Sequence, residues 1–150
     1  MRFLLDTDHI SFLQRGSGSE FTNLTARIAQ HSPADFALSV VSFHEQVLGA
    51  HSFINCARTP ADVIGGYTLL LETLQGFSTA PVLAFDEAAI VLFNELRVHR
   101  VRVSTMDLRI AAIRLAKLRR IALSQNLVLL TRNLRDFERV PGLVTKDWTI

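Results

Sequence analysis

Five acidic or amide residues in this chain sit where sheets present their ends. Asp6 closes the apolar run Phe3-Leu4-Leu5. Aspartate is depleted in strands and costly to bury unpaired, yet the carboxyl ends of strands are where open α/β sheets bind ligands. Glu45 follows a second run in Ser39-Val40-Val41-Ser42-Phe43-His44-Glu45. Asp107 opens a helix after the connector Arg102 to Thr105, and Asn133 and Asp136 follow a further strand in Thr131-Arg132-Asn133-Leu134-Arg135-Asp136-Phe137. Parallel strands would deliver all of these to one edge. Crowded carboxylates repel and raise one another's pKa unless a cation joins them. A hard divalent ion suits such a set. Mg²⁺ takes one or two carboxylates, keeps several waters and meets substrate phosphates; Mn²⁺ has similar preferences. Such an ion lowers the pKa of a bound water and neutralises a phosphodiester in the transition state.

Each position also has a plain structural reading. Ser42-x-x-Glu45 and Ser104-x-x-Asp107 both fit a capping box. Asp136 fits a cap, Asn133 a local turn, and Asp86 the start of helix 87–98. Asp8, rather than Asp6, reads as the cap of the first helix. The five histidines read as surface or core residues: His44 and His51 share a helix face without metal-ligand spacing, and His9 stands beside Asp8. Cys56, the lone cysteine, reads as a packed thiol. No glycine-rich phosphate loop or nucleophile elbow is present. Asp6-x-Asp8 also fits the nucleophile motif of haloacid dehalogenase-type phosphatases, although the only lysines are Lys117 and Lys146.

The elements that must position these residues alternate. Strands are expected over 2–6, 36–40, 81–85 and 127–131. Between them lie helices over 8–14, 20–31, 43–54, 60–76 and 87–98, another from 107, and a last turn near 134–138. Pro60 suits a first helical turn, and Gly65-Gly66 weaken the middle of that helix. Strands separated by helices, each strand a continuous apolar run, predict a three-layer α/β/α sandwich around a parallel sheet. Residues 1–150 read as one domain.

A hydrophobic content of 49% argues against disorder. No apolar run approaches the roughly 20 residues that span a bilayer, no secretory leader is evident, and a lone cysteine fits a reducing cytoplasm. The net charge of +2 hides an asymmetry. Residues 1–96 carry four arginines against ten acids, whereas residues 97–139 carry ten arginines and a lysine against three acids. Arginine outnumbers lysine fourteen to two, and its guanidinium binds phosphate bidentately. A basic rim beside an acidic, metal-loaded cleft is a layout suited to a nuclease.

These residues resemble a known family. Leu4-Leu5-Asp6-Thr7-Asp8 is similar to the opening motif of PIN-domain proteins, and Ser42 to Glu45 followed by Leu48-Gly49 to their second acidic motif. Met106-Asp107-Leu108-Arg109-Ile110-Ala111-Ala112 resembles the third. The run from Leu130 to Leu143, with Asn133, Asp136 and Pro141-Gly142, resembles the C-terminal signature of VapC-type toxins. The match runs from Phe3 to Trp148. The resemblance implies a PIN-like fold and a metal-dependent endoribonuclease, the toxin of a type II toxin–antitoxin pair. It also implies a homodimer and a small antitoxin that blocks the cleft. Asp6 and Asp107 would hold Mg²⁺, and Glu45 would complete the acidic set as ligand or by orienting the attacking water. Asn133 falls where the family carries Asp or Asn, with Asp136 close by. Arg109, Arg114, Arg132 and Arg135 are the candidates for RNA contact. A non-catalytic PIN scaffold that holds RNA or protein is the alternative within the same fold. Two departures stand out. Position 133 is an amide, which leaves the set one anion short. The stretch 110–126 looks longer than usual and contains a near-repeat, Arg109-Ile110-Ala111 and Arg120-Ile121-Ala122, with Lys117 and Arg119 between.

Overall fold

The computed structural model of the chain describes residues 1–120 and 127–150. The stretch 121–126 and the side chains of Arg119 and Arg120 lie outside the described residues, and with them the second half of the near-repeat. The strands are β1 (Phe3–Leu5), β2 (Phe36–Ser39), β3 (Val82–Leu83), β4 (Val128–Leu130) and β5 (Thr145–Lys146). The helices are α1 (Thr7–Arg15), α2 (Ser19–Ile28), α3 (Val40–Asn55), α4 (Pro60–Phe77), α5 (Glu87–Val98), α6 (Thr105–Arg120) and α7 (Leu134–Phe137). All pairings are parallel, in the order β3-β2-β1-β4-β5. The expected α/β sandwich is therefore the observed one. β5 was not expected: its two residues are too short for a periodic signal, and only pairing with Leu129 and Leu130 defines it.

Period-two alternation divides the core between the two faces of the sheet. Leu4, Ala37 and Leu129 point to one side, where Leu92, Phe93 and Leu96 of α5 and Ile110, Ala111 and Ile113 of α6 cover them. Phe3, Leu5, Phe36, Leu38, Val128 and Leu130 point to the other, against Ile10 and Phe12 of α1, Leu24 of α2, Phe77 and Trp148. Both faces are thus buried, which is why the strands read as unbroken apolar runs.

Gly66 has a packing reason. A Cβ there would come within 2.4 Å of the Ile54 side chain, so the residue lets α3 and α4 lie close together. Thr59 and Asp62 form a capping box that starts α4. Cys56 is exposed at the end of α3 and not packed. Helix α3 is followed there by a turn, which leaves the thiol outside the core.

Candidate active site

The strand order reverses between β1 and β4, which lie side by side at the centre of the sheet. This is the topological switch point at which open α/β sheets bind ligands. Asp6 leaves β1 there, its N–H donating to the Leu130 carbonyl of β4 at 2.9 Å. Its backbone is still extended, so α1 begins at Thr7 and Asp6 is the cap, with Oδ1 accepting from the Thr7 N–H at 2.8 Å. Oδ2 accepts from the Thr131 hydroxyl at 2.8 Å.

Asp8 is not the cap that its position suggested, because the helix starts one residue ahead of it. Its carboxylate accepts from the Arg132 N–H at 2.7 Å and meets Nδ1 of the fully buried His9 at 2.6 Å. His9 Nε2 accepts from the Trp148 N–H at 3.2 Å. These two contacts assign the proton to Nδ1. Asp8 and His9 thereby fasten both the loop after β4 and the C-terminal segment to the start of α1.

Glu45 escapes the capping box. Ser39 caps α3 by accepting from the Ser42 N–H at 2.9 Å, so the helix starts three residues before the expected position 43. Glu45 then lies in the second turn, and its Oε1 accepts from the Thr7 hydroxyl at 2.9 Å. Asp107 arrives in the first turn of α6, its N–H donating to the Ser104 hydroxyl at 3.0 Å. Asn133 Nδ2 donates to Asp107 Oδ2 at 3.3 Å, and its backbone N–H donates to Thr131 Oγ1 at 3.1 Å. Hydrogen bonds therefore run without a break from Glu45 through Thr7, Asp6, Thr131 and Asn133 to Asp107. The two threonines were not picked out from sequence, although each flanks a strand end in the motifs that carry the acids. Asp136 acts on the set through its charge.

The electrostatics follow from burial. Asp6 is only 5% exposed, and desolvation followed by the Asp8 charge pushes its pKa up to about 7, against the opposing hydrogen bonds from Thr131 and Thr7. Glu45 is raised by burial and by the charges of Asp107 and Asp8, offset by Thr7. Asp107 is raised by burial and by the charges of Asp136 and Asp8, offset by Ser104 and Asn133. Three carboxylates on separate elements thus share one electrostatic strain, and a cation between them would relieve it. Among the described residues no three histidine, cysteine or carboxylate side chains stand close enough to form a ready ligand cluster. The all-oxygen donor set fits an ion held by one or two carboxylates with water completing its shell, which is the habit of Mg²⁺ and not of a caged metal.

The arginines divide. Arg132 and Arg135 are exposed beside the site. The Arg132 guanidinium lies 5.3 Å from the centre of the Phe12 ring, with Arg15 5.1 Å from the same ring. Arg109 is half-buried, packed over Phe93 at 5.7 Å. Arg114 is not available to RNA. It is fully buried in α6, where Nε donates to the Leu127 carbonyl at 2.7 Å and Nη1 to the Gly142 carbonyl. Every fourth residue of α6 faces the sheet, and Arg114 follows Ile110 by four.

The chain is similar to the tRNA(fMet)-specific endonuclease VapC of Salmonella typhimurium, 28% identical over an alignment of 156 positions that covers 99% of this chain and 98% of that protein. No family model matches it. Among solved structures it is similar to the DNA-bound VapBC of Salmonella typhimurium, with a TM-score of 0.74 and 24% identity over 99% of this chain and 98% of that one. It is also similar to VapBC-1 of nontypeable Haemophilus influenzae, with a TM-score of 0.72 and 22% identity over the whole of both chains. The sheet order and these neighbours show the fold, a PIN-like α/β/α sandwich. Along nearly its whole length the chain is similar to a VapC-type protein, the resemblance that the four motifs carry.

Proposed function

We propose that this chain is the toxin of a type II toxin–antitoxin pair and cuts RNA as a Mg²⁺-dependent endonuclease. The observation that carries the reading is the hydrogen-bonded set Asp6, Glu45 and Asp107 at the switch point, all three with raised pKa values. The endonuclease name of the Salmonella relative supports the reaction class, and the VapBC complexes among the structural neighbours support an antitoxin partner.

Asp6 and Asp107 would hold the ion. When bound, it would neutralise phosphodiester charge and make a nearby water more acidic. The protein's own groups supply the rest. Thr7 and Thr131 fix the orientation of Glu45 and Asp6 by donating to them. Asn133 holds Asp107 by donating to one of its carboxylate oxygens. Glu45 stands on the same edge, placed to orient or deprotonate a water. Arg132 and Arg135 offer cations to flanking phosphates. The phosphatase reading has less support, since Asp8 is committed to His9 and the Arg132 N–H. In the described residues no helix is long and apolar enough to cross a membrane, and RNA and an antitoxin would be met in the cytoplasm.

Expression of the chain alone should arrest growth and leave RNA fragments with shared 5′ ends, mapped by sequencing. Co-expression with the antitoxin from the neighbouring reading frame should remove both effects. Mg²⁺ binding with no cleavage of any RNA would replace this reading with the non-catalytic scaffold. A homodimer is also proposed. Ile64, Tyr67, Leu71 and Leu74 form one exposed apolar stripe along α4, the kind of surface that a partner covers. Sedimentation of the purified chain should show a dimer at micromolar concentration, and a monomer would contradict it.

A further inference from the structure

Beside Glu45 lies a cavity that adjoins the cleavage site. It has a volume of about 230 Å³ and forms where faces of α1, α3 and α4 meet. Thr7 and Glu45 stand at its border with the acidic site. Ser11, Gln14 and Gln46 line it with uncharged polar groups, and Leu69 supplies an apolar wall. Gln14 Nε2 donates to Gln46 Oε1 at 2.8 Å, and Gln46 Nε2 donates to Ser11 Oγ at 3.3 Å. Each amide has two N–H groups and a carbonyl, so both donors and acceptors remain after these bonds.

Gly49 opens this space. It lies four residues after Glu45 on α3 and so shares its face. Its backbone is ordinary, since it is not among the positive-φ glycines, and a Cβ there would meet nothing within 4 Å. Gly66 in the same helical hairpin is required by close packing; Gly49 is not. Glycine weakens a helix interior. What its missing side chain gives here is room in the cavity.

We infer that this cavity receives a nucleobase of the RNA next to the scissile phosphate, read by Gln46, Gln14 and Ser11, so that it sets where the chain is cut. The inference rests on the nuclease reading above and names the specificity site that reading lacks. Sequence-specific RNA recognition works on splayed single-stranded bases that are stacked and hydrogen-bonded on their edges. The lining is neutral apart from Glu45, which suits a base and disfavours a phosphate. The cavity lies below the roughly 300–1,000 Å³ of sites for drug-sized ligands, so it takes one ring system.

The test is base discrimination, read by fluorescence anisotropy with RNA decamers of A, C, G and U. It is made in the Asp6→Asn protein so that binding is measured without cutting. One decamer should bind about tenfold or more tightly than the weakest. Adding Gly49→Leu, which fills the cavity, or Gln46→Ala should bring the four within about threefold of one another. Thermal melting checks that both variants fold, and Gly49→Leu should melt no lower than its parent. Equal binding of the four decamers by the parent, or an unchanged ranking in both variants, would overturn the inference. An unchanged ranking with weakened antitoxin binding would assign the cavity to a protein side chain and overturn it equally. Failure of the nuclease reading is separate: wild-type protein would then cut no RNA, whatever the decamers show.

Discussion

Asp6→Asn is expected to abolish RNA cleavage and, in the absence of divalent ions, to raise the melting temperature at pH 8. The two effects have one cause. Asp6 is buried, next to Asp8 and within reach of Asp107, and its pKa rises from 3.8 to about 7. The folded state therefore binds this proton more tightly than the unfolded chain does. The stability that goes with protonated Asp6 is fully present below pH 3.8 and is lost as pH rises through 7. At one pKa unit per 1.36 kcal/mol, ionised Asp6 costs the metal-free fold up to about 4 kcal/mol at pH 8. Asparagine has the same shape, keeps an oxygen for the Thr7 N–H and carries no charge. For a chain of this size each kcal/mol moves the melting temperature by about 2–4 °C. The difference between variant and wild type should thus be several degrees at pH 8 and close to nothing at pH 4. Adding Mg²⁺ should raise the wild type and leave the variant where it was. Equal melting temperatures at both pH values would refute the account of Asp6 as a strained carboxylate.

Arg114→Ala should destabilise the chain by about 2–5 kcal/mol, among the largest losses expected of a single change. The guanidinium joins three segments that are distant in sequence: α6, the residue entering β4 and the turn at Gly142. Its removal leaves the Leu127 and Gly142 carbonyls without their donor, each worth about 1–3 kcal/mol when buried, and opens a cavity between helix and sheet. Nη2 has no hydrogen-bond partner among the described residues, and burial lowers the pKa of the group, so the site is not an optimised one for a cation. Arg114→Met should accordingly lose less than alanine, because it fills the volume. Denaturant melts measure both. RNA affinity separates this account from the sequence expectation: the folded Arg114→Met protein should bind RNA as the wild type does, whereas Arg132→Ala should bind it more weakly. A stable Arg114→Ala protein that has lost RNA affinity would return Arg114 to the RNA surface.

Arg114 also shows where reading the sequence fails. A cation in a run of arginines reads as surface, and only the register of α6 on the sheet reveals that this one points inward. Asp6 was legible because a carboxylate at the end of an apolar strand conflicts with strand propensity, and such conflicts gather at functional sites. Its capping of α1 was not legible, since Asp6 and Asp8 both satisfy the local rule and a one-residue shift decides between them. Glu45 was obscured in the same way: Ser39 and Ser42 compete as caps, and Ser39 wins because β2 ends there. The alternating order of elements followed from apolar runs and breakers. The order of the strands, which puts Asp6 beside Thr131 and so creates the site, is a matter of tertiary pairing that no local pattern carries. Gly49 lay within a quoted motif, but its open surroundings belong to three helices at once.

In the proposed function, Asp6 and Asp107 together would hold the divalent cation on which RNA cleavage depends. Purified wild type, Asp6→Asn and Asp107→Asn should be incubated with labelled RNA in Mg²⁺ and in excess chelator. The account predicts cleavage by the wild type in Mg²⁺ alone, and no cleavage by either folded variant in any condition. Cleavage by the wild type in chelator, or undiminished Mg²⁺-dependent cleavage by either variant, would contradict it.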